Sequence, residues 1–238
     1  MRYEMAPLAI DSDRSERAAF IRRTYAHLAL AVLAFVGLET LFFGVIRHAV
    51  EGVDEMFVRA ITAPYAPLII LGAFIGVSYL ARYWAFNGGS PALQYAGLGL
   101  YVLAQAAIFI PLLYVAIVYL RDFEVVLQAG ILTLCLFAGL TAVVFGTGKD
   151  FSFLGPILMI ASFVALGAIV CAILFGFTLG LFFSLAMIVL AAGSILYNTS
   201  GIMLQFRTDQ HVAASLVLFA SVAMLFYYIL LALLQSRR

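Results

Sequence analysis

The sequence predicts an all-α polytopic membrane protein of seven transmembrane helices, and three observations carry that prediction. Hydrophobic residues make up 66% of the chain and charged residues 11%, with a mean hydropathy of +1.13, against roughly half and a quarter in an ordinary soluble domain. Charges and turn residues cut the apolar sequence into seven stretches, each close to the ~20 residues that cross about 30 Å of hydrocarbon. The 238 residues leave no room beside those crossings for a separate extramembrane domain, so the function is expected in or near the bilayer.

Residues 1–17 mix acids and bases and read as a cytoplasmic N-terminal segment; they lack the basic start, short apolar core and cleavage site of a signal peptide. Residues 18–236 form the seven-helix domain. The first span covers 25–46, between Arg22-Arg23 and Arg47-His48, and the acid-rich loop 51–67 has room for a short amphipathic turn. The second, 68–86, is stopped by Asn87-Gly88-Gly89-Ser90-Pro91, where flexible residues and a proline end the helix. The third, 92–120, contains Pro111 and is expected to kink there. The fourth covers 125–145, and the fifth and sixth, 151–175 and 178–206, are divided only by Gly176-Phe177. The seventh, 212–234, precedes Arg237-Arg238 and carries Ser215 and Ser221 among alanines, the pattern of a centrally packed helix.

Lys and Arg are retained near span ends on the cytoplasmic face. Eight lie on the side of the N-terminus and five on the other, so the N-terminus is expected inside and the C-terminus outside, in a bacterial plasma (inner) membrane. The basic residues form no stripe able to neutralise phosphates, which argues against nucleic acid as a partner. Cys135 and Cys171 lie in separate apolar runs and are expected to be reduced. His27, His48 and His211 show no metal-ligand spacing. Around Gly148-Lys149, the first glycine and the closing hydroxyl residue of a phosphate-binding loop are replaced by Val143 and Asp150. No histidine base accompanies Ser194. The chain is therefore expected to be no enzyme and to need no cofactor.

Ionisable groups within hydrocarbon are costly and mark pathways or pairs. Two qualify: Glu39, deep in the first span, and Arg82, four residues before the end of the second. They can form an ion pair; alternatively Glu39 bonds a neighbouring helix and Arg82 reaches the headgroups. In the sixth span Ala191, Ser194, Asn198 and Gly201 recur at helical spacing, which predicts an inward small or polar face, either for packing or as a lining in which Asn198 supplies donor and acceptor. Gly72 and Gly76 read as a helix contact, and Tyr83, Trp84 and Phe86 as an interfacial belt.

Three segments carry a resemblance. Thr147-Gly148-Lys149-Asp150-Phe151-Ser152-Phe153-Leu154-Gly155 is the most specific; Ile195-Leu196-Tyr197-Asn198-Thr199-Ser200-Gly201-Ile202 and Phe20-Ile21-Arg22-Arg23-Thr24-Tyr25 accompany it. Together they resemble the transmembrane Bax inhibitor-1 motif family, in particular its bacterial branch, with Lys149, Asp150, Phe151, Gly155 and Tyr197 as motif residues. The resemblance implies six helices around a central seventh. It also implies a calcium leak governed by a pH-sensing aspartate pair in the last two spans, latched by a basic residue of the second. Arg82 matches the latch, but Asn198 and Ser221 stand at the acidic positions, so the titrating pair cannot be carried over.

The expectation is a cation, possible calcium, leak channel or permease with Glu39, Arg82, Asn198 and Ser221 around a closed pore. A neutral site holds calcium weakly, since that ion prefers charged carboxylates. The alternative is a membrane interaction protein that modulates a membrane-bound protease or a stress response through its N-terminal segment.

Overall fold

The computed structural model describes residues 6–49, 52–63, 65–87 and 90–237. Residues 1–5 of the N-terminal segment, Val50, Glu51, Pro64, the Gly88-Gly89 pair and Arg238 lie outside the described residues. Seven helices are long and apolar enough to cross a membrane: α1 (Arg14–Ala49), α3 (Ala66–Asn87), α4 (Pro91–Tyr119), α5 (Phe123–Thr147), α6 (Leu154–Phe175), α7 (Leu181–Leu204) and α8 (His211–Ser236). A short helix, α2 (Val53–Thr62), occupies the loop after α1. Arg47 at the end of α1 holds Asp54 of α2 through paired contacts of 2.9 and 3.0 Å, and that guanidinium keeps the Asp54 carboxyl below its usual range.

The spans of the sequence reading are all found, with shifted ends. α1 begins at Arg14, so its first three turns include residues assigned to the N-terminal segment and to the approach to the first span. Pro111 does not break α4; the helix continues through it, and a π-helical turn over Val115–Tyr119 follows. A second such turn, Phe42–Ile46, interrupts α1. Gly176, the weakest predicted boundary, ends α6 with φ +70°, a conformation open to glycine at no steric cost.

The arrangement places α8 at the centre. In its most apolar stretch 67% of residues are buried, against 44% for α4 and 6% for α6, because α8 packs against α1, α3, α4, α5 and α7. Lipid tails are as apolar as leucine, so contact quality rather than water exclusion holds such helices together. Around Phe109 of α4 the contacts are aromatic: Phe35 approaches edge-on at 4.9 Å, Phe226 stacks at 5.5 Å, and Tyr227 meets it edge-on at 5.3 Å. The far end of α8 is pinned by polar bonds. Ser184 Oγ donates to Gln235 at 2.9 Å, Gln235 donates to the Leu179 carbonyl at 3.1 Å, and Arg237 engages Asp122 and Gln128. Asp122 also caps α5 by accepting from the Val125 amide.

The small-residue contact predicted at Gly72 and Gly76 is not formed: a side chain added at either would meet nothing within 4 Å. The close approach lies one turn further along α3, where Ala81 and Ala85 are buried against Gly97 of α4. Spacing alone identifies a smooth helix face; its partner must be equally small, and Gly97 supplies that.

Residues ahead of α1 form a strap across the bundle end. Ala9 donates its amide to the Phe206 carbonyl at 2.8 Å and Thr208 donates back to Pro7 at 3.1 Å, which leaves Ala9 fully buried. Thr208 Oγ1 donates to Glu16 at 2.7 Å, and Arg17 Nε donates to the Ala9 carbonyl at 2.7 Å. The strap is thereby joined to the turn between α7 and α8.

Candidate functional site

A cleft of about 1130 Å³ lies between α3 and α4 on one side and α6 and α7 on the other, with α8 as its floor. Its walls separate because α3 and α6 touch at few residues, while α8 keeps α4 and α7 apart. The polar groups come from all five helices: Arg82, Gln105, Ser162, Ser194, Asn198 and Ser221 among them.

The structure brings together three of the four predicted site residues. Asn198 Nδ2 donates to Ser221 Oγ at 2.8 Å and lies 3.4 Å from the Val217 carbonyl, and Ser221 in turn donates to Val217 at 3.1 Å. This neutral pair closes α7 onto α8 at the cleft floor, where the resemblance puts two acids. Arg82 lines the same cleft, in range of the Tyr101 hydroxyl. It makes no salt bridge among the described residues.

Glu39 is elsewhere. It stands one turn beyond Phe35 on the α1 face that packs on Phe109 and Phe219. Both carboxyl oxygens are sealed from solvent without a hydrogen-bond partner among the described residues. The Glu39 to Arg82 pair is therefore not formed, and Glu39 does not line the cleft. Sequence places Glu39 at a depth, but only the rotation of α1 decides what it faces.

Of the motif residues Gly155 and Tyr197 line the cleft, and Asp150 and Phe151 shape the turn that leads to it. Asp150 accepts from the Ser152 amide at 2.8 Å and from its hydroxyl at 2.9 Å, which shapes the turn into α6. The Phe151 amide donates to Ser200 Oγ at 3.2 Å, tying that turn to α7. At Gly155 an added Cβ would stand 3.1 Å from the Tyr197 ring, so glycine lets the two motif segments touch beside the cleft. Lys149 is exposed after the α5 cap and does not line the cleft.

Along α7 the predicted stripe turns inward: Ala191 and Gly201 are buried, and Ser194, which donates back to the Leu190 carbonyl at 3.0 Å, lines the cleft. The sequence reading missed a pairing of His27 with His211. Their rings are 5.0 Å apart, and Tyr95 meets His27 Nε2 at 3.0 Å. No group of three or more metal-ligating side chains forms among the described residues. The two histidines are far apart in the chain, and no local spacing announces them.

Known proteins can be set beside this geometry. The chain is 26% identical over 229 residues to the Golgi anti-apoptotic protein of Vaccinia virus (strain Lister), covering 93% of this chain and 87% of that protein. It is 27% identical over 223 residues to protein lifeguard 4 of Mus musculus, covering 90% and 84%. It is 36% identical over 127 residues to a BI1-like protein of Arabidopsis thaliana, a match that spans 48% of this chain and 46% of that one. No solved structure gives a significant match. Residues 17–238 match the family described as "Inhibitor of apoptosis-promoting Bax1". With its seven apolar helices, and with two of its three motif segments meeting at the cleft, the chain belongs to the Bax inhibitor-1 family of multi-pass membrane proteins.

Proposed function

We propose that the chain provides a leak-type pathway for cations, calcium among them, through the cleft. The Asn198–Ser221 bond holds this pathway shut where α7 meets α8. The supporting observation is that bond, at the polar floor of a large cleft between five spans. A leak opens when the pair separates and a passing ion takes over its oxygens. Calcium, which favours carboxylates, finds none here and passes slowly.

No carboxyl or imidazole side chain lines the cleft among the described residues, and those are the side chains that ordinarily titrate nearest to neutral pH. The pathway of this chain is therefore insensitive to pH. Purified protein in vesicles loaded with a calcium-sensitive dye should pass calcium at rates that differ by less than about twofold across that interval. Absence of flux above empty vesicles would remove the leak reading; a steep titration lost in Glu39→Gln would transfer the gate to α1.

The N-terminus lies on the cytoplasmic face of the plasma membrane and the C-terminus outside, from the excess of basic residues on the N-terminal side. In a background with Cys135 and Cys171 replaced, an impermeant thiol reagent applied to intact cells should label Ser236→Cys but not Asp11→Cys. The reverse pattern would invert the topology.

A further inference from the structure

The charge of the cleft is one-sided. Arg82 is exposed and lines it, and no acidic side chain does so among the described residues. A guanidinium without a counter-charge is costly within a bilayer, and a small cation does not relieve that cost. Gln105 gives a second, independent sign of a missing partner. It is 6% exposed and lines the cleft, and its amide oxygen, an acceptor, makes no hydrogen bond among the described residues; a half-turn about the last side-chain bond puts the amide NH2, a donor, in the same unpartnered place. It lies one helical turn from Tyr101, so both reach the same side of α4. Away from the Asn198–Ser221 floor the wall along α3, α4 and α6 is mostly apolar, with Ile70 and Phe74 of α3, Ile108 of α4, Ile169 and Ile173 of α6, and Ser162 as a polar exception on α6. The volume, about 1130 Å³, lies just above the ~300–1,000 Å³ range of small-molecule sites. A bare ion would leave most of it empty.

We propose that the cleft binds a single-chain anionic lipid drawn from the membrane, a long-chain carboxylate, with its headgroup on Arg82 and its alkyl chain along α3, α4 and α6. Guanidinium and carboxylate are matched in plane and hydrogen-bond geometry. The Tyr101 hydroxyl stands beside the guanidinium, and the Gln105 amide, turned about its last bond, adds a donor. The chain is held by dispersion against three helices and enters through the sparse α3–α6 seam. The site lies in the same cleft as the proposed leak, but its occupancy is measured without any flux and holds whether or not ions pass.

Equilibrium binding of radiolabelled palmitate to the full-length protein in nonionic detergent tests the proposal. Methyl palmitate supplies the chain without charge, and acetate supplies the charge without chain. Palmitate should bind saturably, methyl palmitate at least about tenfold more weakly, and acetate should not compete. Arg82→Gln should reduce palmitate to the affinity of methyl palmitate, Arg82→Lys should stay within about threefold of the native protein, and Arg22→Gln, outside the cleft, should change nothing. Ile169→Trp should weaken both long-chain ligands by filling the chain's path. Equal binding of palmitate and its methyl ester, or full binding by Arg82→Gln, would overturn the proposal. Competition by acetate as effective as by palmitate would do the same and leave a site for a free anion. Should Arg82→Gln fail to fold, by circular dichroism and elution volume, the comparison of the two long-chain ligands on the native protein still decides.

Discussion

Gly97→Ala should lower the stability of this protein by about 3 kcal/mol, the upper part of the range for overfilling a packed core. A β-carbon at that position would stand 2.6 Å from the Ala81 carbonyl oxygen and 2.9 Å from the Ala85 amide nitrogen. Both are backbone atoms that no rotamer change can move, so α3 and α4 must part along the length of their contact. In lipid the two helices have little besides close contact to hold them, and parting them forfeits dispersion along the whole seam. The measurement is the thermal unfolding midpoint in detergent, with Gly99→Ala and Gly72→Ala beside it. Those two glycines have nothing within 4 Å of an added carbon, and alanine there should be neutral or slightly stabilising through helix propensity. A midpoint for Gly97→Ala equal to that of Gly99→Ala would show that the α3–α4 contact is not as tight as described.

Arg82→Gln should raise calcium flux through the protein by tenfold or more. Arg82 lines the cleft without an anionic partner among the described residues, so its charge acts on any cation that enters. At a separation of ~8 Å and an effective dielectric of ~20, a unit charge is repelled by about 2 kcal/mol and a divalent ion by about 4 kcal/mol. Water entering with the ion reduces that figure, yet each ~1.4 kcal/mol removed from a barrier is a factor of ten in rate. Arg82→Lys retains the charge and should leave flux near the native level. The same dye-loaded vesicles provide the measurement. A rate for Arg82→Gln at or below that of the native protein would place the pathway away from the cleft. The effect should also be larger for calcium than for potassium, because the repulsion scales with ionic charge.

Much of this architecture can be read from the chain before folding. Apolar run length and terminal charges locate seven crossings because hydrocarbon thickness leaves the helix little freedom in extent. The alanines and serines of α8 reveal its central place, since only small side chains allow neighbours on every side. The small residues around Asn198 and Ser221 predict only that each faces inward; it is the family resemblance, at whose two acidic positions they stand, that sets them side by side. Quantities that depend on rotation and tilt are different. Span position assigns Glu39, Gly72 and Gly76 to their helices, but the faces they occupy depend on packing between helices distant in sequence. The same holds for Gly97, whose signal was available in the spacing of Ala81 and Ala85 but needed the facing helix to be read. The His27–His211 approach has no local signature at all. The two π-helical turns also escaped notice, as an extra residue in one turn alters neither hydropathy nor span length.

The strap at Pro7 and Ala9 has a consequence for biogenesis. Its hydrogen-bond partners, Phe206 and Thr208, lie six spans later in the chain, so the strap must wait for them to be synthesised. Until then the Ala9 and Thr208 amides lack these partners. Closure of this loop is a long-range step that local helix formation cannot accelerate. Nascent chains halted before Phe206 should therefore expose their amino-terminal residues to protease, and released full-length chains should protect them.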